Sequence, residues 1–340
     1  MRRKVSLIGA AVLTAVILGA CSQPKPAAAA ASEKETASQT TAAAEPEQGF
    51  PEKDVTIIVP YAAGGGVDIT TRVMTETAGN SHLNGHSFIV QNVEGGGGAV
   101  GQTTVLNTAA DGYTILAYTS SVVNNPQLKE VEFTLDDFQA LACVCFDPEV
   151  VLVPKDSPYQ TLDDLLAAAG KEVVNVSTSG AMTSHHIDGV RIQMLTGAQF
   201  DYIHCDSASV QREQLLGGHT DAAIFPLGEI RNEIQDGSVR ALAIATKERQ
   251  EEIPDVPTYK ECGIDLVDGA FRGFGCRADV PEDVKKVLAD ELDEICTSDD
   301  FIANMEKAGL PYYYLNADDF QAYAAECSTA LKDVVEFLNK

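Results

Sequence analysis

The chain has 340 residues, with 50 acidic against 24 basic side chains and a formal charge of −26. A surface this acidic repels nucleic acid, and any anion it binds must be held by local donors against the field of the whole molecule. Its length exceeds what a single core usually organises, so two packed domains are expected.

The chain opens on the basic run Arg2-Arg3-Lys4, followed by an apolar stretch from Val5 to Ala20. That stretch is shorter than the roughly 20 residues a membrane span needs and suits the core of a signal peptide. It ends in Leu18-Gly19-Ala20-Cys21, which resembles the lipobox of bacterial lipoproteins. On that reading residues 1–20 are removed and Cys21 becomes an acylated anchor on the extracytoplasmic face of the cell membrane. An ordinary secretory signal cut near Ala31 is the alternative. Residues 21–49 are rich in Ala, Glu, Thr and Pro and carry almost no bulky apolar side chain until Phe50, so they read as a flexible tether.

Strands and helices then alternate. Val55–Val59 is a continuous apolar strand, followed by a glycine loop and a helix near Asp68–Ala78. Ser87–Val93 is a second strand, Gly95–Gly98 a loop before a short helix, and Tyr113–Tyr118 a third strand after the turn Asp111-Gly112. Further short strands are read at Val150–Val153, Val173–Ser177, Ala222–Phe225 and Ala241–Ala245. Thr161-Leu162-Asp163-Asp164 has capping-box spacing and opens a helix that Gly170 ends. After Pro281, the apolar positions Val284, Val287, Leu288, Leu292 and Ile295 follow a helical period. Phe320, Tyr323, Ala324, Cys327, Leu331 and Val334 do the same after Asn316. Strands apolar throughout and separated by helices predict parallel sheets covered on both faces.

Three loops join a strand to a helix and concentrate small polar groups. The first runs from Pro60 through Tyr61, Ala63, Gly64, Gly65 and Gly66 to Asp68; glycines admit a ligand to the backbone, and helix N-terminal amides attract anions. Asp68 either caps the helix or orients the loop. The second runs from Asn92 to Gly101 and includes Gly97 and Gly98. The third, Ser177–His186, crowds hydroxyls and amides at a helix start.

Several chemistries are set aside. Gly96-x-Gly98-x-x-Gly101 formally matches a dinucleotide fingerprint, but the next helix is too short and Ser120 and Ser121 stand where a ribose-binding acid belongs. His185-His186 diverge on a helix and His82 and His86 straddle a turn, so no metal site is expected. No nucleophile elbow or Cys/His/Asn set appears. The seven cysteines from Cys143 onward fit no disulfide framework and read as buried free thiols, Cys143 and Cys145 on one strand face. No cofactor and no catalysis are expected.

Taken in order, these segments resemble the extracytoplasmic solute receptors of tripartite tricarboxylate transporters, of the Bug type. The resemblance runs from about Val55 to the C-terminus. It rests on Val59-Pro60-Tyr61-Ala62-Ala63-Gly64-Gly65-Gly66-Val67-Asp68, Gly95–Gly101, Asp111–Leu116 and Ser177–His186. It continues through Leu215–Gly218, Val239–Ala243 and Ile253–Thr258. It implies an α/β, type II periplasmic-binding-protein-like fold, two lobes with mainly parallel sheets around a ligand cleft. Lobe one would be residues 50–147 and 271–340, and lobe two residues 148–270. It implies binding sites at Tyr61, Ala63–Gly66, Asp68, Gly97, Gly98, Thr119, Ser120, Ser121, Ser179, Gly180, Thr183, Ser184 and His185, with Phe225 as a wall. The ligand would be a small organic acid: a di- or tricarboxylate, an acidic amino acid or an aromatic acid. Neutral amides and hydroxyls can hold it without a buried cation. The partners implied are the membrane permease subunits to which the ligand is delivered, with the receptor a monomer. A solute-binding lipoprotein of an ABC transporter is the alternative, ahead of an exported enzyme.

The chain departs from the family pattern in three places. His204-Cys205-Asp206-Ser207 stands where the family usually has Pro-Tyr-Lys-Gly, which exchanges a cation for a carboxylate. Met182 replaces a usual glycine. Phe271-Arg272 replaces an aromatic pair at the second crossover. Arg272 either forks onto a ligand carboxylate or pairs with a surface acid.

Overall fold

The computed structural model describes residues 49–340; the leader, Cys21 and nearly all of the tether lie outside the described residues. In chain order the elements are β1 (Val55–Val59), α1 (Gly66–Ala78), β2 (Phe88–Asn92), α2 (Ala99–Leu106), β3 (Thr114–Thr119), α3 (Ser120–Leu128) and β4 (Phe138–Pro154). There follow α4 (Leu162–Ala169), β5 (Val174–Thr178), α5 (Ser184–Thr196), β6 (Phe200–His204), α6 (Ala208–Leu216), β7 (Ala222–Pro226), α7 (Leu227–Gln235) and β8 (Val239–Ile244). The chain closes with β9 (Gly269–Arg277), α8 (Glu282–Cys296), α9 (Asp299–Lys307), β10 (Tyr312–Leu315), α10 (Ala317–Ala330) and α11 (Lys332–Leu338).

The strands run in the order β2-β1-β3-β9-β4-β7-β5-β6, with β8 and β10 also pairing β4. β1 pairs in parallel with β2 and β3, and β5 in parallel with β6 and β7. The pairings of β4 and β9 are antiparallel. Each lobe therefore has a parallel outer part, joined to the other lobe through two long strands. Apolar clusters lie on both faces of each sheet. Ile57, Phe274, Leu292 and Phe301 oppose Tyr118, Phe138 and Phe320 in one lobe. Val153, Leu165, Val176 and Tyr259 oppose Leu152, Leu215, Phe225 and Ile230 in the other. This is why the strands read apolar throughout rather than alternating.

The strand expected at Val150–Val153 is the end of the 17-residue β4, which pairs β9 and β10 in its first part and β7 and β8 in its second. Where it passes between the lobes, Asp147 and Pro148 lie beside Ala270 and Gly269 of β9, so the two crossings pair with each other. The expectation for Cys143 and Cys145 needs correction. The register shifts between them, and a bulge offsets the alternation of faces. Cys143 packs with Tyr118 and Phe320, Cys145 with Cys276 and Phe274. The helix after Asn316 also ends earlier than its period suggested, at Ala330, and Leu331 and Val334 belong to a second segment. Elsewhere the local signals hold. Thr161 and Asp164 form a reciprocal capping box, and Asn316 accepts a bond from the Asp319 amide.

Candidate ligand-binding cleft

β1, β5 and β6 each pass through a turn into a helix, and β3 runs straight into one, which places four helix N-termini beyond the carboxyl ends of the strands. Those starts line one cavity of ≈ 50 Å³, with Gly65-Gly66-Val67 from α1, Thr119-Ser120-Ser121 from α3, Thr183-Ser184-His185 from α5 and Ser207-Ala208-Ser209 from α6. The first turn of a helix leaves backbone N–H groups without intrahelical partners. The Ser207 hydroxyl accepts one of them, from Val210. At α1, α3 and α5 no side chain among the described residues caps the end. Three uncapped, positively polarised helix ends facing one small cavity make an anion site without a free cation.

The hydroxyls beside these amides are oriented by a network. Tyr61 donates to Ser121 Oγ at 2.8 Å, and Gln102 Nε2 donates to the same oxygen at 2.7 Å. Gln102 is held in turn by Asn125, which donates to its Oε1 at 2.8 Å. With two donors on it, Ser121 directs its own proton to Thr119 Oγ1, 2.9 Å away. The Thr119 proton is then left for the cleft or for the Tyr61 oxygen 3.4 Å away. Ser179, nine-tenths buried, lines the opposite wall. The Thr183 hydroxyl instead donates to the Gly180 carbonyl at 2.9 Å and braces its own loop.

The remaining sequence-derived residues fall into three places. Asp68 lies behind the wall, where it accepts from the Gly64 amide and Arg72 through Oδ2, each at 2.9 Å, and from Asn92 through Oδ1 at 3.0 Å. Burial alone would raise its pKa, but these donors hold it below the ordinary carboxylate value. It orients the loop of Ala63 and Gly64. Gly97, Gly98 and Gly180 line an adjoining opening with Lys129, His204, Cys205 and Asp206. Phe225 lies fully buried below the cavity, its ring 5.5 Å from that of His185.

The floor carries the charge. Arg272, 2 % exposed, is neither on a surface acid nor free: it donates to Asp147 Oδ2 and Glu229 Oε1, both at 2.8 Å. Asp147 is completed by the Gly228 amide at 2.9 Å. Burial alone would depress the guanidinium, but Cys145, Asp147 and Glu229 around it raise its pKa. Gly66 packs over this pair so closely that a Cβ there would lie 2.4 Å from Glu229 Oε1. His185 Nδ1 sits 2.9 Å from the Ile224 carbonyl, an acceptor, so Nδ1 bears the ring proton. Burial lowers the pKa of His185 despite the nearby Glu229, which leaves the ring neutral and Nε2 bare.

The chain matches the family described as tripartite tricarboxylate transporter family receptor over residues 71–340. The chain belongs to that receptor family. Among its relatives, a UPF0065 protein encoded in the gbd 5′ region of Cupriavidus necator is 28 % identical over 302 residues, covering 85 % of this chain and 88 % of that one. The periplasmic binding protein BugD superposes with a TM-score of 0.78 at 23 % identity, over 84 % of this chain and 98 % of its own. MatC of Rhodopseudomonas palustris, solved with bound malate, gives 0.77 at 22 % identity, over 84 % of this chain and all of its own. The receptor's fold is thus the two-domain α/β fold of periplasmic binding proteins.

Several lining residues of this receptor were not assigned to the site from the sequence: Ala62, Val67, Ser207, Ser209, Glu229, Ala270 and Phe271. Glu229 had a usable signal, since it lies in the first turn of the helix after β7, the same strand-to-helix arrangement as the other loops. Asp147 had none, being one of two acids, with Glu149, in a long and otherwise largely apolar strand. Met182, in place of the usual family glycine, holds a left-handed φ of 66°. Its amide donates to His186 Nδ1 at 3.1 Å, which assigns His186 to bracing this turn.

Proposed function

We propose that this chain is an extracytoplasmic solute receptor that binds a small organic carboxylate between its lobes and delivers it to a tripartite tricarboxylate-type permease. The observation that carries the reading is the convergence of the uncapped N-termini of α1, α3 and α5 on one small cavity. A carboxylate there accepts bonds from preset amides and from the Thr119 and Ser179 hydroxyls, which offsets the loss of its hydration. The malate held by MatC is a ligand of this chemistry and supports the reading. The lobes are taken as residues 50–147 with 271–340, and 148–270, hinged where β4 and β9 cross. Closure follows if the ligand contacts both lobes and so favours the shut state. The receptor acts as a monomer, without cofactor or turnover, tethered to the membrane through acylated Cys21.

The test is a thermal-shift panel of mono-, di- and tricarboxylates on the full chain. A bound acid raises the melting temperature in a concentration-dependent way, and its affinity falls in the double variant Ser179→Ala, Thr183→Ala. A panel without any stabilising acid, or an affinity untouched by the double variant, removes this reading of the cleft. The anchor has its own test: the exported chain partitions with detergent, and Cys21→Ala moves it to the aqueous phase.

A further inference from the structure

Every helix end at the cavity offers donors, yet the floor offers two acceptors with nothing between them. Glu229 is 93 % buried at its side chain, and while Oε1 is held by Arg272, Oε2 has no hydrogen-bond partner among the described residues. Across the cavity His185 Nε2 stands 3.9 Å from it, too far for a bond and itself an acceptor in the neutral ring. Arg272 is also shared: one cation faces the two carboxyls of Asp147 and Glu229.

Resting on the carboxylate-receptor reading, we infer that the ligand bears an ammonium group beside its carboxylate, and that Glu229 with His185 is the seat of that group. A nitrogen bridging Glu229 Oε2 and His185 Nε2 at about 2.8 Å from each fits between acceptors 3.9 Å apart. An ammonium supplies the missing donors and brings a second cation to a floor where two carboxyls share one. A plain acid would leave the buried oxygen unpaired and add a second negative charge near it, which is how a site rejects an analogue lacking a donor. Donor-rich helix ends at one wall and an acceptor pair at the floor thus select a zwitterion, an amino acid or amino diacid, over the corresponding acid. Glu229 is the specificity-determining residue, and Arg272 with Asp147 positions it.

Calorimetry on the full chain with the matched pairs glutamate and glutarate, aspartate and succinate, and alanine and propionate tests this. At least a tenfold preference for the amino member of a binding pair is expected, and Glu229→Gln should reduce that preference severalfold. If the plain acid of every binding pair holds as tightly as its amino partner, the ammonium seat is overturned while the carboxylate receptor stands. If no acid of either kind binds, both fall. A preference unchanged in Glu229→Gln also overturns the assignment. Should that variant fail to melt cooperatively, the wild-type pairs alone decide.

Discussion

The ammonium of Lys129 lies 2.9 Å from the carbonyl oxygen of Ala181, so a side chain at the end of α3 in one lobe holds the loop before α5 in the other. The same nitrogen donates to the Gly96 carbonyl, and Asn124 adds a second crossing bond at 3.0 Å to the Met182 carbonyl. If the lobes close on the ligand as proposed, these bonds form on closure. Lys129→Met should therefore weaken ligand binding by about 1.5–3 kcal/mol, the worth of a hydrogen bond to a charged group, and lower the melting temperature of the ligand-bound receptor more than that of the free one. Calorimetry beside a thermal melt checks both, and an unchanged affinity would remove Lys129 from closure.

Gly97 meets the same loop by close approach. A Cβ there would sit 2.4 Å from the Ala181 carbonyl oxygen, and its φ of 61° already disfavours any other residue. Gly97→Ala is expected to cost the free protein about 1–2 kcal/mol through the left-handed backbone. Ligand affinity should fall by more than that strain explains, because the lobes can no longer meet. Chemical denaturation and calorimetry separate the two effects.

Removing the Arg272 side chain should be the most damaging change at the floor. Asp147 and Glu229 would be left buried without their cation, which costs about 3–5 kcal/mol when one partner of a buried pair is lost. Arg272→Met should lower the urea midpoint by a corresponding amount. Pairing it with Asp147→Asn should recover part of the loss if charge is the cause. No recovery would point to packing.

A second buried acid pair makes stability depend on pH. Glu149, Asp188 and the nearby Asp268 lie where the crossings meet α5, and Asp188 accepts from the Tyr259 hydroxyl at 2.7 Å. Burial first, then repulsion by Asp188, Asp268 and Asp147, pushes Glu149 well above the usual carboxylate range, and burial first, then Asp268, does the same to Asp188. A group whose pKa is raised on folding contributes stability that is full below its unfolded value, about 4. That stability is lost as the pH climbs through the folded value. The receptor should thus lose stability as the pH rises from about 4 toward neutrality and beyond. Glu149→Gln should flatten that loss, with its largest gain at alkaline pH, as melting curves across pH will show.

Much of this was legible along the chain because it depends on neighbours a few residues apart. The Thr161–Asp164 box and the Asn316 cap follow from spacing within one turn. The glycine and hydroxyl loops were visible because a strand followed at once by small residues and a helix must present its first amides at the strand's end. What was lost lay in pairings over long separations. Arg272 meets Asp147 across 125 positions and Glu229 across 43. The bulge between Cys143 and Cys145 arises from register against β9, which no periodicity within β4 records.

Composition and local pattern by themselves determined an acidic chain of alternating strands and helices, with small glycine- and hydroxyl-rich helix starts whose amides can hold an anion. Only the tertiary structure decided that four of those starts share one cavity, that Asp68 turns away from it, and that Glu229 keeps a bare oxygen on its floor. The physical reason is one of range. Amide orientation and capping are set within a turn of backbone, whereas the charge of a buried site is the sum over side chains that only packing brings together.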